Sequence, residues 1–220
     1  MGRWAMARIK KASLVDQIYS KLREDIITLK IPMGTRLNVN ELQTELGVSC
    51  TPIREAVNRL QQEELVIYEN NVGARVLTLD EHDVREIHEL AVTLQQAAVR
   101  LAMKNGDIDQ MLDAVEEQIE RYETARTPRE SVRAVHSLIG VFYHHCGNGR
   151  LDRSMIAIQG QLLLLRHIYA ECPGCRDHMD GLLRIRDGVA GGSVDEICAA
   201  LQEYSDRSAP AILAWLKEHN

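Results

Sequence analysis

The 220-residue chain is 45% hydrophobic and carries 26 Lys and Arg against 32 Asp and Glu, a formal net charge of −6. That length suits one large domain or two ordinary ones, with apolar content enough for a buried core. No apolar run reaches the roughly 20 residues a bilayer-spanning helix needs, and Met1-Gly2-Arg3-Trp4-Ala5-Met6 lacks a signal-peptide core, so a soluble cytoplasmic protein with no membrane partner is expected. Of five cysteines, Cys50, Cys146, Cys172 and Cys198 are scattered, which argues against a disulfide framework. The charge divides unevenly: residues 1–78 hold 11 Lys and Arg against 9 Asp and Glu, a net +2, whereas residues 79–220 hold 15 against 23, a net −8. The slight basic excess therefore lies in the first part of the chain.

In chain order, Ser13 with Asp16 three residues later forms a capping-box pattern, and Leu14, Ile18, Leu22, Ile26 and Leu29 follow at helical spacing to about Lys30. Ile31-Pro32-Met33-Gly34 is a turn, after which Asn38 and Glu41 repeat the capping-box pattern before Leu42 and Leu46. Gly47 supplies a tight turn into a third helix, with Ser49 placed to cap it. Ile53, Ala56, Val57 and Leu60 form its inward face, leaving Thr51, Arg54 and Asn58 on others. That is the build of a recognition helix, which enters the major groove with its opening turn first; a plain helical hairpin shares the pattern. Leu65–Tyr68 and Ala74–Leu77 read as two strands joined by the turn-rich residues 69–73. Asn71, Gly73 and Arg75 then sit where a β-wing reaches a minor groove.

Residues Pro32, Gly34, Leu37, Leu42, Leu46, Gly47, Val48, Ser49, Thr51, Pro52, Arg54, Glu55 and Ala56 match a run that resembles the GntR family of bacterial winged-helix regulators. The family's usual arginine after the serine is Cys50 here, which removes a charged DNA contact and implies altered operator preference or weaker affinity. A cysteine beside DNA is also a candidate oxidation sensor, against the plainer reading of a neutral replacement.

From Asp80 the pattern becomes long amphipathic helices without further strands. Asp80 caps a helix bearing Ile87, Leu90, Leu94, Ala98 and Leu101 and ending at Asn105-Gly106. Others follow over about Asp107 to Tyr122, Arg129 to Cys146, Leu151 to before Cys172, Arg176 to Val189, and Val194 to Glu218 with a kink expected at Pro210. The run Leu162-Leu163-Leu164-Leu165 implies burial on several sides. The fold class is thus mainly α: a winged helix-turn-helix over residues 8–78, then an all-α antiparallel bundle over residues 79–220.

This order, with Cys146-Gly147-Asn148-Gly149-Arg150-Leu151, resembles the FadR-like (FCD) branch of GntR regulators, whose C-terminal domain binds a small effector and dimerises. Many such domains hold a metal through an Asp and a His four apart plus two later histidines. The matching positions here are Val135, Ile139, Leu182 and Tyr204, and an arginine that commonly helps hold acidic effectors corresponds to Ala91. No metal or other cofactor is therefore expected, and a neutral or bulkier effector follows from the same replacements. Among His136, His144, His145, His167 and His178, any one is more readily a surface or core residue than a ligand. A replacement pocket would use Tyr143, Arg166, His178 and Tyr204.

Cys172-Pro173-Gly174-Cys175 places two thiols within reach of a disulfide or a soft metal ion, with His178 as a third ligand. No second pair completes a zinc site, and an incidental turn is the plain alternative. The combined reading is a non-enzymatic, homodimeric regulator that binds a pseudo-palindromic operator and changes affinity on binding a small molecule. Its candidate DNA contacts are Arg36, Asn40, Ser49, Thr51, Arg54, Asn58, Gly73 and Arg75. A redox or metal sensor using Cys172 and Cys175, or a thiol oxidoreductase, is the rival.

Overall fold

The computed structural model describes residues 13–69, 73–172 and 178–219. Helix α1, Leu14–Ile27, starts on a complete capping box, with Asp16 N–H donating to Ser13 Oγ at 3.1 Å and Ser13 N–H to Asp16 Oδ2 at 3.0 Å. It stops at Thr28, short of the expected Lys30, and Leu29 takes a positive φ of 57° as the chain turns. Helix α2 is Val39–Leu46. Asn38 caps it through Asn40 N–H, and its amide donates to the Glu41 carboxylate, so a simple N-cap stands where a second capping box was expected and neither backbone bond of that box forms. Gly47, at φ 65°, then turns the chain without the penalty a Cβ brings in the left-handed region.

Helix α3, Cys50–Gln62, buries Ile53, Ala56, Val57 and Leu60 completely against its neighbours. Such full burial of three aliphatic side chains is worth roughly 1.5–3 kcal/mol each. Strands β1, Val66–Glu69, and β2, Gly73–Val76, pair antiparallel with Val66 opposite Val76. They lie within a residue of the expected runs. A feature the alternation does not announce is a third edge: Arg36 bridges Arg75, Leu37 N–H donates to Ala74 O, and Val76 N–H donates to Thr35 O.

Six helices follow. Helix α4, Glu81–Asn105, opens on a capping box between Asp80 and Asp83. Its inward face is Val84, Ile87, His88, Ala91, Val92, Gln95, Ala98, Val99 and Ala102. Leu90, expected on that face, is 46% exposed instead, because 25 residues of helix rotate the stripe away from a single leucine row. Helix α5 is Ile108–Glu123, and α6, Pro128–His145, starts on a Thr127–Glu130 capping box with proline in its first turn. Helix α7, Gly149–Glu171, has every residue from Leu164 to Ala170 buried, since α1, α4, α6 and α9 all pack on it. Helices α8, Met179–Gly191, and α9, Val194–His219, complete the bundle; α9 runs through Pro210 as one element.

The winged helix and the bundle touch through α1, α6 and α7. Glu24 on α1 is ion-paired with Arg129 and, at 3.4 Å, with Arg133 on α6. Gln161 on α7 donates to Glu64 at 3.2 Å. Gly160 on α7 lies so close to Leu65 that an added Cβ would stand 2.9 Å from its Cδ1. Among the described residues no helix is long and apolar enough to cross a membrane.

Candidate DNA interface and effector cavity

The opening turn of α3 is the exposed end of the helix-turn-helix. Thr51 and Arg54 are exposed, and within the described residues neither side chain has an intramolecular hydrogen bond or ion pair. Arg36 and Asn40 are exposed close by in sequence on the preceding turn and helix. Ser49 occupies the N-cap backbone position, with φ −72° and ψ 161°, but its side chain makes no capping bond, contrary to expectation. Its hydroxyl is left for another acceptor or donor. Asn58 is exposed one turn on and accepts from the Tyr68 hydroxyl at 3.3 Å.

On the wing, Gly73 opens β2 at φ 96°, a conformation that favours glycine. Arg75 is not held out toward solvent: Nη1 donates to Gly34 O at 2.6 Å and Nε to Glu69 at 3.2 Å, so it staples the wing to the α1–α2 turn. Asn71 lies outside the described residues. Cys50 Sγ donates to Gln43 Oε1 at 2.8 Å, tying α3 to α2 where the resemblance places an arginine. Replacing it, Cys50→Arg, is expected to tighten operator binding and steepen its salt dependence by about one released counterion. Titrating affinity against salt checks this, and an unchanged slope would show that position 50 does not face phosphate.

The four residues expected to line one effector pocket divide between two cavities. Tyr143 and Arg166 line a cavity of about 440 Å³ between α6 and α7, with His136, Gln95, Gln159 and Leu162. His178 and Tyr204 line a much smaller one of about 30 Å³, where their rings meet edge to face at 5.0 Å. Arg166 and Tyr204 come together at a narrow cleft that also holds His88, Ala91 and Tyr169. The split arises because α7 turns Arg166 toward α6 while α8 and α9 close around Tyr204.

Arg166 is 4% exposed, and Nη1 lies 3.2 Å from His136 Nδ1, whose other ring nitrogen is 2.8 Å from Gln159 Nε2. Burial, and then the Arg166 charge, push His136 down to about 4 from the usual 6.5. His88 is lowered to about 4 for the same two reasons. Burial pushes the Tyr143 hydroxyl up, and the hydroxyl has no hydrogen-bond partner. Arg166 Nε and His88 Nδ1 are likewise buried without one. His88 and Gln95 were not singled out from the sequence; the available signal was two polar residues seven apart on the apolar face of α4.

Val135, Ile139, Leu182 and Tyr204 do converge, all lining the small cavity. Three aliphatic side chains and a phenol are not a donor set for a divalent ion, so the residues do not fit the metal that the resemblance implies. Among the described residues no group of three or more His, Cys, Asp or Glu is placed to hold one. Cys172 is buried and its Sγ donates to Ile168 O at 3.3 Å; Cys175 lies outside the described residues.

The sequence profile described as bacterial regulatory proteins, gntR family, matches residues 14–76, and that of the FCD domain matches residues 86–207. The chain belongs to the GntR family, with an FCD domain. The first match spans the helix-turn-helix and its wing, and the second spans most of the helical bundle. This GntR regulator is 33% identical over 109 residues to the uncharacterised HTH-type transcriptional regulator YdhC of Bacillus subtilis, covering 50% of this chain and 48% of that one. It is 34% identical over 100 residues to the gluconate operon transcriptional repressor of Bacillus licheniformis, covering 45% of this chain and 41% of the repressor. The chain thus spans about half the length of the curated relatives it matches, or less. The structure of E. coli McbR/YncC superposes with a TM-score of 0.77 at 20% identity, over 96% of this chain and 100% of that one, which shows a shared fold.

Proposed function

We propose that this GntR regulator is a homodimer that binds a pseudo-palindromic operator through two copies of α3 and changes its operator affinity when the bundle binds a small molecule. Labour divides between residues 8–78, which contact DNA, and residues 79–220, which dimerise and sense. In the DNA contact, Arg54 and Thr51 enter the major groove, supported by Arg36, Asn40, Ser49 and Asn58, while Gly73 and the Arg75 staple shape the wing. The sensing reading rests on one observation: the helices that wall the larger cavity, α6 and α7, are the same two that grip the winged helix through Glu24, Glu64 and Leu65. A ligand that shifts α6 against α7 changes the seat of α1 and α3, and so the spacing of two recognition helices over two half-sites. That differential fit is the coupling free energy an effector needs.

Selection from a random duplex pool tests the DNA half: an inverted repeat should be enriched, and a pool without enrichment would sink the reading. The coupling makes a second expectation. Gly160→Val inserts bulk against Leu65, an overpacking that costs about 1–3 kcal/mol and pushes the winged helix off α7. Operator binding should persist at altered affinity while its response to a bound effector disappears. Fluorescence anisotropy with labelled operator checks this, and a response of wild-type size in the variant would place the coupling elsewhere.

A further inference from the structure

We infer that the α6–α7 cavity takes a singly charged organic carboxylate, held by the Arg166 guanidinium without a metal ion. The inference rests on the effector reading above and names the chemistry of its ligand. A guanidinium stays charged in any protein environment, and the usual condition for burying one is a carboxylate or phosphate across from it. Arg166 is buried yet has no ion pair with any described residue, and its only side-chain hydrogen-bond contact is the edge of His136. Its Nε points at no acceptor.

The neighbours complete an anion site rather than a counter-ion. The Tyr143 hydroxyl is a second orphaned donor on the wall that Arg166 shares, and Gln95 adds an amide. A planar carboxylate satisfies a guanidinium edge and a phenolic hydroxyl together, by short charge-assisted bonds. One charge is the match, because Arg166 is the only buried cation lining the cavity and the adjoining His136 is held neutral, whereas Asp152 at the exposed side repels a second negative group. Beyond the polar end, Ile139, Met155, Ile156 and Leu162 offer an apolar wall, and about 440 Å³ suits a compact acid with a hydrocarbon body. Arg166 on α7 thus supplies a positive charge where Ala91 on α4 supplies none, and of the neutral or bulkier effector expected from the sequence the bulkier alternative is the one inferred.

The test compares acids with their uncharged amides on the full-length protein, dialysed free of organic anions and treated with EDTA. Millimolar benzoate or hexanoate should raise the melting temperature in proportion to the logarithm of concentration, and benzamide or hexanamide should not. Arg166→Met should abolish the rise, Arg166→Lys should keep a weaker one, and ligand-free Arg166→Met should melt no lower than wild type, because an unpaired buried charge has been removed. A purely structural Arg166 predicts the opposite: a lower melting temperature in Arg166→Met with the acid response retained. Equal shifts from acid and amide, no shift from either acid, or a rise abolished by EDTA would each overturn the assignment. The regulatory reading fails separately, if the acids bind but operator affinity is unmoved; if amides bind and move operator affinity, that reading stands and the carboxylate does not.

Discussion

Arg54→Ala is expected to abolish sequence-specific operator binding while leaving the unfolding free energy within about 0.5 kcal/mol of wild type. The two effects separate because Arg54 touches nothing that holds the fold. It is exposed on the first turn of α3, outside the buried stripe of Ile53, Ala56 and Val57, and lacks any partner among the described residues. A side chain so placed loses little on truncation in the free protein. In a complex, by contrast, one good base contact is worth about 1–3 kcal/mol, and in the proposed dimer two recognition helices on two half-sites would double the loss. Anisotropy titrations should show specific affinity falling to the level of a random duplex, with urea denaturation unchanged. Wild-type operator affinity in the variant would remove Arg54 from the interface, and a large drop in stability would assign it a structural role instead.

The folded protein is expected to lose stability steeply as pH falls from about 6.5 to 4, well before most carboxylates titrate. His88 and His136 both carry folded-state values of about 4 against an ordinary 6.5, lowered first by burial and then by the Arg166 charge. Above pH 6.5 each is neutral whether folded or not, and its stabilising share is fully present. As pH falls, the unfolded chain takes up protons that the folded chain refuses, until about pH 4, where the loss levels off. Each histidine alone corresponds to a loss on the order of 3 kcal/mol, and since both face one arginine the two do not simply add. The depressed carboxyls of Asp16, Asp80 and Glu130 act in a lower window, through their ordinary carboxylate range downward. Urea midpoints measured across pH at fixed salt check this, and His136→Gln should flatten the slope between pH 6.5 and 4. A stability that stays level over that range would show that these histidines are hydrated in solution.

How much of this was legible in the residues depends on how local each signal is. Ser13, Asp80 and Gly47 announce helix ends because a capping oxygen or a left-handed backbone acts within four residues, and the structure places all three at those ends. The alternation over Leu65–Tyr68 and Ala74–Leu77 places the hairpin to within a residue for the same reason. Ser49 failed as a side-chain cap and Leu90 as a core residue because neither outcome is local: one depends on where a hydroxyl turns, the other on how a long helix is rotated by its partners.

The sequence by itself determined the order of elements and the start of the third helix, which follow from spacing along one stretch of chain, and the family, through the resemblance carried by the run from Pro32 to Ala56. Through the same resemblance it placed Val135, Ile139, Leu182 and Tyr204 at the four positions a metal would occupy, which needs no tertiary structure. Only the tertiary structure decided that Tyr143 and Arg166 share a cavity while His178 and Tyr204 share another, and that Arg75 spends its charge on Glu69 and Gly34. It alone showed that Arg166 is buried without an opposing charge among the described residues, which no reading of the α7 sequence reveals, because a missing partner is a property of the other helices packed around it. The physical reason is the same throughout: hydrogen bonding and periodicity operate over a few residues, whereas desolvation and electrostatics are set by whatever the fold brings near.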